Sequence, residues 1–115
     1  MYSASFSHDG EKVVSASFDK TIRIWSAVTG ECEQTLAGHT GNVKSASFSP
    51  DGEKVVSASD DNTGAVRIWS VVTGECEQTL AGHRGGVWSA SFSPDGEKVV
   101  SASSDKNVRL WRVDR

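Results

Sequence analysis

Two sets of residues in this chain have the types needed for acid–base chemistry. His39, Ser57 and Asp61 recur as His83, Ser101 and Asp105, each 44 residues further on. Serine with histidine and aspartate is the equipment of acyl transfer: the imidazole takes the hydroxyl proton, the carboxylate orients the imidazole, and backbone N–H groups receive the oxyanion. The local frame argues against that chemistry. Neither serine lies in the Gly-x-Ser-x-Gly turn that lifts a nucleophile clear of its strand; both are embedded in "VVSAS", a run of strand composition. A metal site is not indicated either, because Cys32 and Cys76 each lack a second Cys or His at ligand spacing. No catalytic residue, metal ligand or cofactor is expected.

The recurrence extends far beyond these residues. "SASFSPDGEKVVSAS" at 45–59 returns letter for letter at 89–103 and, with His8 in place of proline, at 3–17. Phe6 to Phe48 is 42 residues and Phe48 to Phe92 is 44, whereas Trp25 to Trp69 is 44 and Trp69 to Trp111 is 42. The extra two residues lie in "DNTGAVRIW", against "DKTIRIW" and "DKNVRLW". A period near 42 points to a solenoid or propeller. Within one unit, "VKSASFS" ends at Asp51-Gly52, a dipeptide suited to a tight hairpin because both central residues tolerate positive φ. "KVVSAS" then breaks at Asp60-Asp61-Asn62, "AVRIWSV" stops at Thr73-Gly74, and "CEQTLAG" ends at Gly82-His83. No stretch carries a capped 3.6-residue period. Each unit therefore reads as a four-stranded antiparallel meander, and the chain as an all-β protein of eleven strands.

The Gly-His pair, the loop Asp and the Trp near the end of the third strand together resemble the WD40 repeat family, whose fold is the β-propeller. The resemblance covers essentially the whole chain. It departs where the Asp that often follows the Trp is replaced by Ser26, Ser70 and Arg112. It implies about 2.75 blades: blade 1 over about 1–37, blade 2 over about 43–81 and blade 3 over about 87–113, the last without its outer strand. It also implies a different role for the His, Ser and Asp set. In the family these residues and the Trp form a hydrogen-bonded tetrad that ties the loop before the first strand to the turn after the second. Carried over, the tetrads are His39, Ser57, Asp61 and Trp69, then His83, Ser101, Asp105 and Trp111, with Ser15, Asp19 and Trp25 in the first repeat. Such a network satisfies groups that are costly to bury alone.

Composition narrows the partners. A net charge of -3 from 15 acids and 12 bases, with no basic block, does not suit a phosphate backbone, so nucleic acid is not expected. No apolar run approaches a membrane span, and "MYSASFSHDG" lacks the basic start and apolar stretch of a secretory signal. The expectation is a cytoplasmic protein, or a nuclear one, that is not secreted and has no membrane partner. Cys32 and Cys76 occupy the same place in successive repeats, so stacked sheets hold them roughly 10 Å or more apart. That exceeds disulfide reach and predicts free structural thiols.

The copies differ at selected places. The residue starting the first strand is Tyr2, Lys44 or Trp88, and the residue before the tetrad Asp is Phe18, Asp60 or Ser104. After Gly-His the loops read "TGN", ending in Asn42, and "RGG", beginning with Arg84, and the insertion Thr63-Gly64-Ala65 follows the second strand. Most other changes are mild, such as Ile24 against Leu110, with His8, Arg112 and Asp114 as exceptions. In a propeller blade the loop before the first strand and the turn after the second share a face. Tyr2, Phe18, Asn42, Lys44, Asp60, Arg84, Trp88 and Ser104 are thus the candidate partner-binding face, since rigid aromatics supply contact area at low entropy cost. The uniform framework also resembles recently amplified WD40 arrays, although no G-x-x-x-x-G-K-S/T segment is present.

The expected function is a noncatalytic module that binds a protein or peptide. The alternative is an architectural segment completing or extending a larger propeller, and a hydrolase using the Ser, His and Asp set stands third. Propellers take at least about four blades. The chain is accordingly expected either to belong to a longer array or to form a homo-oligomer by head-to-tail blade stacking.

Overall fold

A computed structural model of the chain describes residues 3–16, 20–37, 39, 42–59, 65–81, 86–103 and 108–113. Among the described residues there are eleven strands and no helix. Strands β1 (Ser3–Phe6), β2 (Lys12–Ala16), β3 (Thr21–Ser26) and β4 (Cys32–Ala37) form the first sheet. The second contains β5 (Val43–Phe48), β6 (Lys54–Ser59), β7 (Ala65–Ser70) and β8 (Cys76–Ala81). The third contains β9 (Val87–Phe92), β10 (Lys98–Ser103) and β11 (Val108–Arg112). Every pairing is antiparallel between strands consecutive in sequence, as expected of meanders.

The hairpins that join the first two strands differ from the expectation. Among the described residues the Asp-Gly dipeptide does not place both of its members at positive φ: Gly52 has φ 74° and Asp51 does not share that region. Instead Pro50 and Asp51 are the central residues of a turn closed by Gly52 N–H donating to Ser49 O at 2.9 Å, with Ser49 N–H donating to Lys54 O at 2.8 Å. Proline at the second position of such a turn and glycine just after it suit a longer hairpin loop. The serine hydroxyl locks it. Ser49 Oγ donates to Asp51 Oδ1 at 2.6 Å and accepts Lys54 N–H at 3.0 Å, while Asp51 Oδ1 also accepts Glu53 N–H at 3.0 Å. Ser7 with Asp9, and Ser93 with Asp95, repeat these bonds, so His8 holds the same turn without the proline.

Alternation then builds the core. Val14, Ala16, Ile22, Ile24 and Leu36 leave one face of the first sheet and meet Val43, Ala46, Phe48, Val55 and Trp69 of the second. The opposite face of the second sheet carries Val56, Ala58, Val66, Ile68 and Leu80, which meet Val87, Ala90, Val99 and Val113, with Phe92 and Trp111 against them. Polar links mark the same two junctions. Gln34 Nε2 donates to Val71 O, and Gln78 Nε2 donates to Arg112 O at 3.4 Å. Near the inner strands Ser5 Oγ donates to Ala46 O at 3.4 Å, and Ala90 N–H donates to Ser45 Oγ at 3.2 Å.

Two predictions follow from these contacts. The carboxyls of Asp9, Asp51 and Asp95 are held below the usual aspartate value, first by the serine hydroxyl and then by a backbone N–H. A depressed folded value contributes stability above the unfolded pKa, about 3.9, and that contribution is lost as pH falls through the folded value. Replacing all three by Asn should lower the melting temperature at pH 7 and flatten its fall between pH 4 and pH 2, read by circular dichroism. Gly30 and Gly74 share a left-handed φ, but a Cβ at Gly74 comes within 2.7 Å of Gln34 Oε1 whereas one at Gly30 meets nothing. Gly74→Ala should therefore cost about 1 kcal/mol more than Gly30→Ala in denaturant unfolding, the difference being the displaced Gln34 bond.

Candidate functional site

Strand register explains how the tetrad residues meet. Ser15, Ser57 and Ser101 lie opposite Arg23, Arg67 and Arg109, while Trp25, Trp69 and Trp111 lie opposite Val13, Val55 and Val99. The serine and the tryptophan are thus diagonal neighbours on one face of adjacent strands. The indole N–H donates to the hydroxyl in each repeat: Trp25 to Ser15 at 3.0 Å, Trp69 to Ser57 at 2.9 Å and Trp111 to Ser101 at 2.8 Å. His39, just ahead of β5, places its Nε2 at 2.6 Å from Ser57 Oγ, and its ring centre lies 6.1 Å from that of Trp69. One hydroxyl therefore joins the segment before β5 to β6 and β7. His83, Asp19, Asp61 and Asp105 lie outside the described residues.

The surroundings of Ser57 bear on what it can do. Its exposure is 0%, that of Trp69 is 2% and that of His39 is 6%. An acyl group needs a line of approach to Oγ, and one lone pair of this oxygen is already occupied by an indole donor. What the arrangement supplies is cohesion. Removing the acceptor strands a buried indole N–H, which is far costlier than removing a hydrogen bond that water can replace.

The variable positions have a geometry that strand alternation does not reveal. β5 and β9 begin at Val43 and Val87, one residue earlier than expected, so Lys44 and Trp88 are second in their strands. Each is the extra residue of a β-bulge: Val43 pairs with Ser59 and Ser45 with Ala58, and in the next sheet Val87 pairs with Ser103 and Ser89 with Ala102. A bulge leaves its extra residue out of the ladder and re-aims the side chain. Trp88 is 60% exposed, and Lys44 Nζ stands 5.7 Å from the centre of its ring, across the junction between two sheets. Asn42 lies just before β5, half-buried. Tyr2, Phe18, Asp60, Arg84 and Ser104 lie outside the described residues. The bulge has a sequence signal: Val43, Ala46 and Phe48 are all core residues, and a spacing of three within a period-two strand requires one residue to be looped out.

Other features sit apart from this face. A concavity of about 350 Å³ opens at the opposite end of the strands, lined by Pro50, Asp51, Glu53, Asp95 and Gly96 among others. These are framework residues. Cys32 and Cys76 are free, as expected, and exposed on the outermost strands. Among the described residues no group of three or more His, Cys, Asp or Glu side chains could hold a metal ion.

Three successive antiparallel sheets, stacked face to face and carrying a Ser–Trp bond at each equivalent position, define a run of β-propeller blades. The family model "WD domain, G-beta repeat" matches residues 1–26, 30–70 and 74–112, and the chain belongs to the WD40 repeat family. It is similar to F-box/WD repeat-containing protein 7 of Drosophila melanogaster, 56% identical over 36 residues, which is 31% of this chain and 3% of that protein. WD repeat-containing protein pop1 of Schizosaccharomyces pombe is 53% identical over 36 residues, 31% of this chain and 5% of that protein. Nuclear distribution protein PAC1 of Mycosarcoma maydis is 49% identical over 41 residues, 36% of this chain and 9% of that protein. Each match spans a small fraction of these curated relatives. WD repeats are in general protein-interaction modules, and that is the class in which the chain falls.

Ser57→Ala should cost about 1–3 kcal/mol, because Trp69 N–H is left unpaired where water cannot enter. Ser15→Ala should cost less, since Trp25 is half-buried and can turn its N–H to solvent. Paired denaturant unfolding of the two variants measures the difference.

Proposed function

We propose that this chain is a noncatalytic recognition module that binds a protein or peptide over the face where Lys44 and Trp88 meet. The observation that carries this reading is the pair of bulges. A residue outside the ladder makes no cross-strand pair, so its identity changes without disturbing the sheet. The framework is constant and the bulge carries Lys in one blade and Trp in the next. An exposed indole flanked by an ammonium offers apolar area, a cation–π contact and a charge at one place, the chemistry enriched where binding energy concentrates. By the alignment of the repeats, Tyr2, Phe18, Asn42, Asp60, Arg84 and Ser104 extend this face.

The burial of Ser57 supports the noncatalytic half of the reading: the hydroxyl serves as acceptor and link inside the blade, beyond the reach of a substrate. The exposed free thiols of Cys32 and Cys76 favour a reducing cytoplasmic or nuclear compartment.

Peptides selected from a random display library against the chain provide the test. Lys44→Ala combined with Trp88→Ala should weaken the selected peptides by roughly 30-fold or more, the size expected when a central aromatic anchor is truncated. The melting temperature should stay within a degree or two, because neither side chain is part of the core. Undiminished peptide binding by the double variant would place recognition elsewhere and favour the architectural reading.

A further inference from the structure

The net charge of -3 conceals a division between the two ends of the strands. The ten described acids all lie at the end marked by the turns at Asp51-Gly52 and Thr73-Gly74. There Glu53, Glu75 and Glu77 join Asp51 in the second sheet, the first sheet repeats all four and the third repeats two. Four described bases, Lys12, Lys54, Lys98 and Arg112, share that end. The other end has the reverse balance. Lys20, Arg23, Lys44, Arg67 and Arg109 stand before or in the first halves of strands that start there, with no acid beside them among the described residues. The segments that connect strands at that end hold, by sequence, Arg84 and Lys106 against Asp19, Asp60, Asp61 and Asp105, so bases outnumber acids by seven to four.

We infer, on the recognition reading above, that the Lys44 and Trp88 site takes an acidic peptide segment in which a carboxylate stands close to an apolar side chain, although the chain as a whole is acidic. Trp88 is 60% exposed and Lys44 Nζ stands 5.7 Å from the centre of its ring, so apolar surface and ammonium are presented as one unit. A ligand that engages both needs its apolar group and its anion a similar distance apart, close to the ~6.6 Å between same-side residues of an extended peptide. The expected pattern is an apolar residue with Asp or Glu two positions away. Lys44 and Trp88 are the bulge residues of adjacent sheets, so the unit spans the junction and neither sheet offers it alone. The long-range field acts in the same sense, because the summed charge of a surface steers a partner before contact. An acidic segment is drawn to the end that carries Lys44 and held off the end that carries the ten described acids. A basic segment meets the opposite bias.

Peptides selected by display against the chain supply the probe. The tightest is synthesised as selected and again with every Asp and Glu changed to Asn and Gln, and both forms are titrated by fluorescence anisotropy in about 50 mM and about 300 mM salt. The selected peptides should be acidic, the amide form should bind about 5-fold or more weakly, and added salt should weaken the acid form selectively. Lys44→Gln should erase the difference between the two forms and Lys44→Arg should restore most of it, whereas Trp88→Ala should weaken both forms. Circular dichroism checks that each variant keeps its β signal. Peptides that need Trp88 but are neutral or basic, or an amide form that binds as well as the acid form, overturn the inference and leave the recognition reading standing. Peptides indifferent to both Lys44 and Trp88 overturn the two together.

Discussion

The structure depends on one contact, the apolar face of a sheet laid on the back of the next. Each sheet has alternating residues on both sides, and both sides are rich in Val, Ile, Ala and Phe, so a sheet left alone would keep much of its apolar surface in water. The second sheet resolves this by being covered twice: Val55, Val56, Ser57, Ala58 and Ser59 are all buried. Burying one Val, Ile or Phe side chain contributes about 1.5–3 kcal/mol. The exposed pairs Lys12–Glu33 and Lys54–Glu77 contribute about 1 kcal/mol or less each. Packing therefore outweighs surface charge, and the repeated spelling of the chain is the repeated shape of that contact.

Trp69 shows how polar groups are fitted into it. Its ring belongs to the junction with the first sheet, while its N–H is consumed within its own blade by Ser57. A large side chain can sit in a dry junction only if its donor finds a partner. The Ser–Trp bond is thus a condition of the packing, and His39 extends it to the segment ahead of β5. The same junctions leave the ends of the inner strands unconstrained. There the bulges at Lys44 and Trp88 turn a side chain out of the ladder, and the chain varies where variation costs the framework nothing.

Much of this was legible in the residues. Strand number, pairing order and the blade architecture follow from turn residues placed at regular intervals and from period-two alternation, because antiparallel neighbours joined by short turns have few other arrangements. The meeting of Ser57 with Trp69 and His39 was expected from resemblance to the family, and the diagonal register supplies its geometry. Other features were not read correctly. Asp51-Gly52 suits more than one turn, and only the ladder around it shows Pro50 and Asp51 at the turn centre. Lys44 and Trp88, read as the residues that start their strands, stand second in β5 and β9, and the Val43 to Ala46 spacing signals the bulge that turns them out.

"KVVSAS" separates what the chain determines by itself from what only assembly decides. The six residues are identical at 54–59 and 98–103, the nine residues before them are identical too, and both copies are strands paired in the same register with the strand before. In β6 five of the six are buried; in β10 Val100 looks into solvent while Val99 does not. Local sequence sets the strand, its register and which side chains share a face, because these depend on the two-residue period of the backbone. Whether a face is core or surface depends on what is stacked upon it, and that is a property of the neighbouring sheet.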